Sequence, residues 1–325
     1  MADLSTTFVG LKLRNPVIVS SSGLTDSVEK IKKLEAAGAG AVVLKSLFEE
    51  QILHEAGRLY EEGSYPEADD YIRHYTRTNS IEAYLDLVEG AASESRIPVV
   101  ASINCISDAE WYDFALKIEE AGAHALELNI YFLPSGKNAG TRDYEKLYLD
   151  IAEKIKSRVT IPVIMKLGQN FTNLIGLVDR LYHRGIDGVV LFNRFYSPDI
   201  NIQEMKMVAS EVFSSPGDLR VSLRWVAIVS SLVEQIDIAA STGVHDGKAL
   251  IKQLLAGAKA VQVCSAIYKQ GPGHIAAMLG DLEKWMKEKG FESLEDFRGR
   301  MNYGSIPDPQ IYERSQFMKY FSSHH

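Results

Sequence analysis

Short runs of β-branched and aliphatic residues alternate along the whole chain with longer stretches whose apolar positions recur every three or four residues. The short runs are Val17–Val19, Ala41–Leu44, Val99–Ile103, Ala125–Leu128, Val163–Lys166, Gly188–Phe192, Ile236–Ala240 and Ala260–Val263. They are close to continuously apolar, the pattern of parallel strands covered on both faces. Between them, VEKIKKLEAAG follows Ser27 and AEWYDFALKIEEAG follows Asp108. Each reads as a helix with a capping side chain at its start and a glycine, Gly38 or Gly122, at its end. Lys30 stands where a capping box would want Glu. The junctions EAAGAGAVVL, EEAGAHALEL, YHRGIDGVVL and LLAGAKAVQV repeat one theme: a helix closed by glycine, a short turn, a buried strand. Eight strands and four copies of one junction predict an α/β chain folded as a single (β/α)₈ TIM barrel domain spanning 1–325. A doubly wound sheet would carry a glycine fingerprint after its first strand, and GxGxxG is absent there. Thr6–Val9 and Leu11–Arg14, around Gly10, predict an N-terminal β-hairpin that plugs the barrel bottom. Residues 47–79 and 194–235 exceed the usual βα-loop length and are expected to be site-building insertions.

Charge and composition narrow the function classes. The net charge of −8 argues against a nucleic-acid partner, which would want a basic stripe. Two cysteines, Cys105 and Cys264, form neither a disulfide framework nor a CxxC pair, so no structural zinc is expected. His54, His74 and His245 lack metal-ligand spacing and read as surface or loop histidines. The start MADLSTTF has no basic-then-apolar leader, and no apolar run reaches the roughly 18–20 residues of a membrane span. A soluble cytoplasmic protein is expected, with no membrane partner.

In a barrel of this kind the chemistry sits at the C-terminal ends of the strands. Those ends deliver Ser20, Ser21, Ser22 and Gly23; Lys45 and Ser46; Asn104 and Cys105; Asn129; Lys166; Asn193; Ser241, Thr242 and Gly243; Cys264 and Ser265. A lysine ending an apolar run either snorkels to water or serves a site. Two lysines and three asparagines on one rim suit a planar, polar, partly anionic ring, with the ammonium groups stabilising developing negative charge. The STG and CSA segments after the last two strands sit where such barrels bind phosphate, although both are also ordinary polar turns. A phosphate there, with the lysine-and-amide rim, implies a phosphorylated cofactor lying across the barrel mouth, and FMN fits better than a nicotinamide dinucleotide.

These segments resemble the class 1 dihydroorotate dehydrogenases, FMN-containing barrels of pyrimidine biosynthesis. The likeness runs in order through TTFVGLKLRNPVIVSSSG, AVVLKS, ELNI, PVIMKLG, GVVLFN, STGVHDGKALIKQLLAGAKAVQVCSAIYKQGP and EKGFESLEDFRG. The resemblance implies flavin contacts at Ser21, Ser22, Gly23, Lys45, Ser46, Asn129, Lys166, Asn193, Thr242, Gly243, Cys264 and Ser265, although the family usually has Gly-Gly and Gly-Thr at the last two pairs; Asn104 joins them from its strand end. It also implies a small planar carboxylate such as dihydroorotate as substrate, and a homodimer. Three departures stand out. The family's Ser-Cys-Pro-Asn segment, whose cysteine takes the C5 proton, is replaced by Asn129-Ile130-Tyr131-Phe132-Leu133-Pro134-Ser135-Gly136. Ser135 and Tyr131, with Lys137 behind them, are the candidates for the base, and Lys45 for a substrate contact; a lid with no proton-transfer role is the other reading of this loop. The family's substrate loop after strand two gives way to Tyr71–Asn79, and its Gly-rich loop between strands six and seven to Leu219–Trp225. The flavin half of the site is expected to be retained and the substrate half rebuilt. Two alternatives stay open: a flavin barrel with a different substrate, whose carboxylate Arg73, Arg77 or Arg224 would hold, and a member that binds a phosphorylated ligand without redox chemistry.

Overall fold

Each of the eight apolar runs becomes a parallel strand, and the strands close on themselves. In the computed structural model, which describes residues 2–48, 69–104, 110–133, 135, 137 and 141–314, the barrel strands are β3 (Val17–Val19), β4 (Ala41–Val43), β6 (Val99–Asn104), β7 (Ala125–Asn129), β8 (Val163–Leu167), β9 (Gly188–Leu191), β12 (Asp237–Ser241) and β13 (Ala260–Val263). They pair in that order, β13 pairs back onto β3, and β4 onto β6 closes the ring past β5 (Leu47–Phe48), which extends the sheet beside the end of β6. The sequence boundaries hold to within one residue.

All four glycine junctions share one mechanism. Gly38, Gly122, Gly185 and Gly257 have φ between +83° and +109°, and each donates its N–H three residues back. The following N–H reaches five residues back, to Leu34, Ile118, Leu181 and Gln253. That pair of bonds is the Schellman motif, which satisfies the last helical carbonyls and turns the chain into the next strand. At the other end of the first helix, Val28–Ala36, Ser27 makes no side-chain cap bond.

The hairpin β1 (Thr6–Phe8) and β2 (Leu11–Leu13) plugs the barrel as expected. Phe8, Val9 and Leu13 pack with Ile18, Val43, Val100, Ala125, Ile164, Val190, Ala239 and Ala260 into an apolar layer inside the barrel. Because strand side chains alternate with period two, the interior position two residues further along each strand forms the next layer up. That layer holds Ser20, Ser102, Glu127, Lys166, Ser241 and Gln262, all buried. The larger core lies outside the barrel, between strands and helices.

Two sequence expectations are corrected. Residues 69–79, taken as insertion and substitute substrate loop, are the first turns of the helix Asp69–Glu94, which braces the barrel through Tyr84. Leu219–Trp225 opens the helix Leu219–Leu232, and Arg224 lies exposed on it, bonding the Arg314 carbonyl rather than a ligand. The 194–235 stretch therefore contains a hairpin, β10 (Pro198–Asn201) with β11 (Lys206–Ala209), and a barrel helix. His54, Cys105, Asp108, the rest of the 47–68 insertion, and the side chains of Arg73, His74 and Arg77 lie outside the described residues.

Candidate active site

A cavity of about 620 Å³ opens at the C-terminal end of the strands, in the range that takes a drug-sized or cofactor-sized ligand. It is lined by Ser21, Ser22, Lys166, Asn193, Thr242, Gly243, Cys264 and Ser265 from the sequence reading, and by Ser20, Gln262, Arg194, Phe195, Glu211, Phe213 and Tyr268 among others. Its floor is the polar interior layer. Lys166, buried at the end of β8, donates from Nζ to Ser20 Oγ at 2.9 Å and Gln262 Oε1 at 2.9 Å, and lies 3.4 Å from Glu127 Oε1. Glu127 is fully buried, and its other oxygen accepts from Gln262 Nε2. The lysine therefore does not snorkel; it is fixed under the cavity.

The remaining predicted residues ring this floor. Ser46 N–H donates to Ser21 Oγ at 2.8 Å, and the Ser46 hydroxyl lies 2.7 Å from that of Ser102. Ser102 is tied in turn to Tyr84. Asn193 donates to Asn129 Oδ1 at 2.6 Å, joining the ends of β7 and β9. Gly23 lies close under Tyr268, whose hydroxyl would meet a Cβ there at 2.9 Å. Asn104 ends β6, half-buried, and Lys45 is exposed; these two, like Gly23, Ser46 and Asn129, do not line the cavity itself.

At the end expected to bind phosphate, Thr242 and Gly243 both adopt left-handed backbone, with φ of 73° and 82°. A Cβ on Gly243 would stand 2.1 Å from the Leu219 nitrogen, so only glycine lets that helix start so close. Thr242 Oγ1 donates to the Phe192 carbonyl, and Ser265 Oγ accepts from Ser214 N–H. The Cys264 thiol is pushed up by burial, with Ser22 and the Lys166 charge pulling it part of the way back. His245, read as a surface or loop histidine, is instead buried, with Nε2 2.9 Å from Ser214 Oγ. Burial, and then the nearby Lys269 charge, hold its imidazole below the ordinary histidine range.

The three base candidates are placed differently. Tyr131 stacks on cavity-lining Phe195, with ring centroids 3.5 Å apart, and its hydroxyl accepts from Asn170 at 3.0 Å. The segment behind it is fixed by Tyr148, whose hydroxyl accepts from Phe132 N–H and whose pKa burial raises to about 12. Ser135 and Lys137 are exposed, and none of the three candidate side chains lines the cavity itself. Sequence reasoning missed Glu127, Gln262 and Ser102, which sit within strands rather than at their ends. Their signal was a polar residue two places beyond an interior apolar one.

Comparison with known proteins follows this geometry. The family profile described as dihydroorotate dehydrogenase matches residues 3–286. The chain is 32% identical over 311 residues to the dihydroorotate dehydrogenase B (NAD(+)) catalytic subunit of Thermoplasma volcanium, covering 92% of this chain and 98% of that one. It is 29% identical to the catalytic subunit of the same name from Thermoplasma acidophilum, covering 92% and 99%. It is also 24% identical to the chloroplastic dihydropyrimidine dehydrogenase (NADP(+)) of Arabidopsis thaliana, covering 91% and 76%.

Proposed function

Because the chain belongs to the dihydroorotate dehydrogenase family, we propose that it is an FMN-dependent oxidoreductase that converts dihydroorotate to orotate in pyrimidine biosynthesis. The observation that carries this reading is the buried Lys166–Glu127–Gln262–Ser20 floor beneath a cavity at the strand ends. The donor set suits a flavin. Serine and threonine hydroxyls, one asparagine amide and one fixed ammonium face a space walled by Phe195, Phe213 and Tyr268. Ser21, Ser22, Gly23, Ser46, Asn129, Lys166 and Asn193 would hold the ring, and Thr242, Gly243, Cys264 and Ser265 the phosphate; Lys45 and Asn104 stand further out on the same rim.

When bound, FMN would supply the hydride acceptor. Lys166 would offer a bound flavin a fixed positive charge at the cavity floor, the kind of electrostatic partner that favours added negative charge. Thr242 and Gly243 hold a tight turn beside the start of the Leu219–Leu232 helix, which shapes the phosphate end. The proton leaving the substrate carbon needs an acceptor on the segment after β7, where this chain has no cysteine. We assign it to Tyr131, because its ring abuts the cavity wall while Ser135 lies exposed beyond it. Tyr131→Phe should cut dihydroorotate oxidation by about 10²-fold or more, the usual contribution of a positioned base, with Ser135→Ala close to wild type. The reverse order would transfer the role to Ser135.

The finer setting is proposed with it: a cytoplasmic homodimer with no nucleic-acid or membrane partner. Net charge −8 supports the lack of a nucleic-acid partner, and among the described residues no helix is long and apolar enough to cross a membrane. Tyr196, Ile200, Ile202, Met205 and Met207, all exposed on and around the β10–β11 hairpin, supply apolar surface for a second copy.

A further inference from the structure

Glu127 is a wholly buried carboxylate inside the barrel, and burying a charge is costly unless it is paired and hydrogen-bonded. Among the described residues it is the only carboxylate within ion-pair distance of Lys166. Gln262 bridges the two. Its Nε2 donates to Glu127 Oε2, while its Oε1 accepts from Lys166 Nζ and from Ser20 Oγ. That assignment of the amide is forced, because an ammonium offers donors only and a carboxylate acceptors only. Three acceptors, on Ser20, Gln262 and Glu127, meet the three donors of the lysine, so its head has a defined position rather than a range. Glu127 itself does not line the cavity, whereas Lys166, Gln262 and Ser20 do.

We propose that Glu127 is a positioning residue for Lys166: directly and through Gln262, its carboxylate fixes the ammonium at the cavity floor and offsets its charge. It thereby sets how strongly the floor favours negative charge added to a bound flavin. This rests on the flavin reading above. Charge arithmetic gives the pair opposite effects. Removing the carboxylate leaves the floor more positive and makes a bound flavin easier to reduce; removing the ammonium does the reverse; removing both returns the floor to neutrality.

The test uses full-length wild type, Glu127→Gln, Lys166→Gln and the double variant, each loaded with FMN. The flavin midpoint potential should move to more positive values in Glu127→Gln, to more negative values in Lys166→Gln, and back toward wild type in the double variant. A potential unmoved by Glu127→Gln assigns the carboxylate to packing and overturns the proposal. Thermal unfolding of the same chains without FMN gives a readout independent of flavin. Here Lys166→Gln lowers the melting temperature, and adding Glu127→Gln raises it again, because no lone buried charge remains. A double variant that melts lower than Lys166→Gln overturns the proposal, and this comparison holds even where Glu127→Gln alone does not fold. Failure of wild type to bind FMN at all would sink the flavin reading, while the thermal cycle would still decide the pairing of Glu127 with Lys166.

Discussion

His245 shows how one side chain couples the cavity wall to stability. Its ring is buried against Ser214 and its carbonyl accepts from His274, so the neutral imidazole is favoured where it sits. The folded-state pKa is lowered from the ordinary 6.5, by burial first and by Lys269 second. The unfolded chain therefore binds this proton more readily than the folded one. Stability is full above the ordinary histidine value and falls as the pH drops through it toward the lower folded value. Thermal unfolding at about pH 7.5 and about pH 5.5 should show a drop that His245→Gln reduces, since glutamine offers Ser214 a partner without titrating. An identical drop in the variant would place the pH dependence elsewhere. The same residue marks a limit of legibility. Histidine spacing gave no metal site, but only the folded chain brings the 210–214 segment over residue 245. Lys166 was legible because a lysine ending an apolar run has few reasons to be there. Glu127 and Gln262 were not, because they sit inside strands that read as apolar throughout.

At the scale of elements, the alternation of buried runs and glycine-closed helices located the strands to within one residue, since both signals come from local backbone chemistry. The two failures have different causes. Residues 69–79, DDYIRHYTRTN, are polar on most sides and carry no helical stripe, so their helicity comes from joining the later turns around Tyr84. Leu219–Trp225 does carry a helical pattern, but it stands where the resembling family has a Gly-rich loop, and that position rather than its periodicity led to the loop expectation. The hairpin plug gives an element-level prediction. Gly188 has room for no side chain: a Cβ would lie 2.5 Å from Val9 Cγ1 and 3.2 Å from the Asp237 carbonyl. Gly188→Ala should cost about 1–3 kcal/mol of stability by overpacking, read as a lower urea midpoint. Adding Val9→Ala, which removes the clashing methyl, should recover part of it. If the double variant loses as much as the two single ones together, the plug is not what Gly188 accommodates.

For the whole molecule, closure of the barrel brings the ends of eight strands to one rim, and this is why scattered residues form one cavity. Cavity-lining residues such as Ser21, Lys166, Asn193 and Thr242 were legible from strand ends alone. The stacking of Tyr131 on Phe195, between the segments after β7 and β9, was not, because no spacing encodes it. Oligomeric state belongs to this scale too. Sedimentation should show a dimer at micromolar concentration, and charged substitutions at Ile200 and Met207 should shift it to monomer; a monomer at all concentrations would remove the homodimer from the account.

The proposed reaction is hydride transfer from dihydroorotate to FMN held in this cavity. Anaerobic titration of the FMN-incubated, desalted protein with dihydroorotate, followed by visible absorption, tests it most directly. The account predicts about one FMN per chain and bleaching of the flavin band by stoichiometric dihydroorotate. A colourless protein that takes up no FMN, or a loaded protein that a chemical reductant bleaches and dihydroorotate does not, would contradict it.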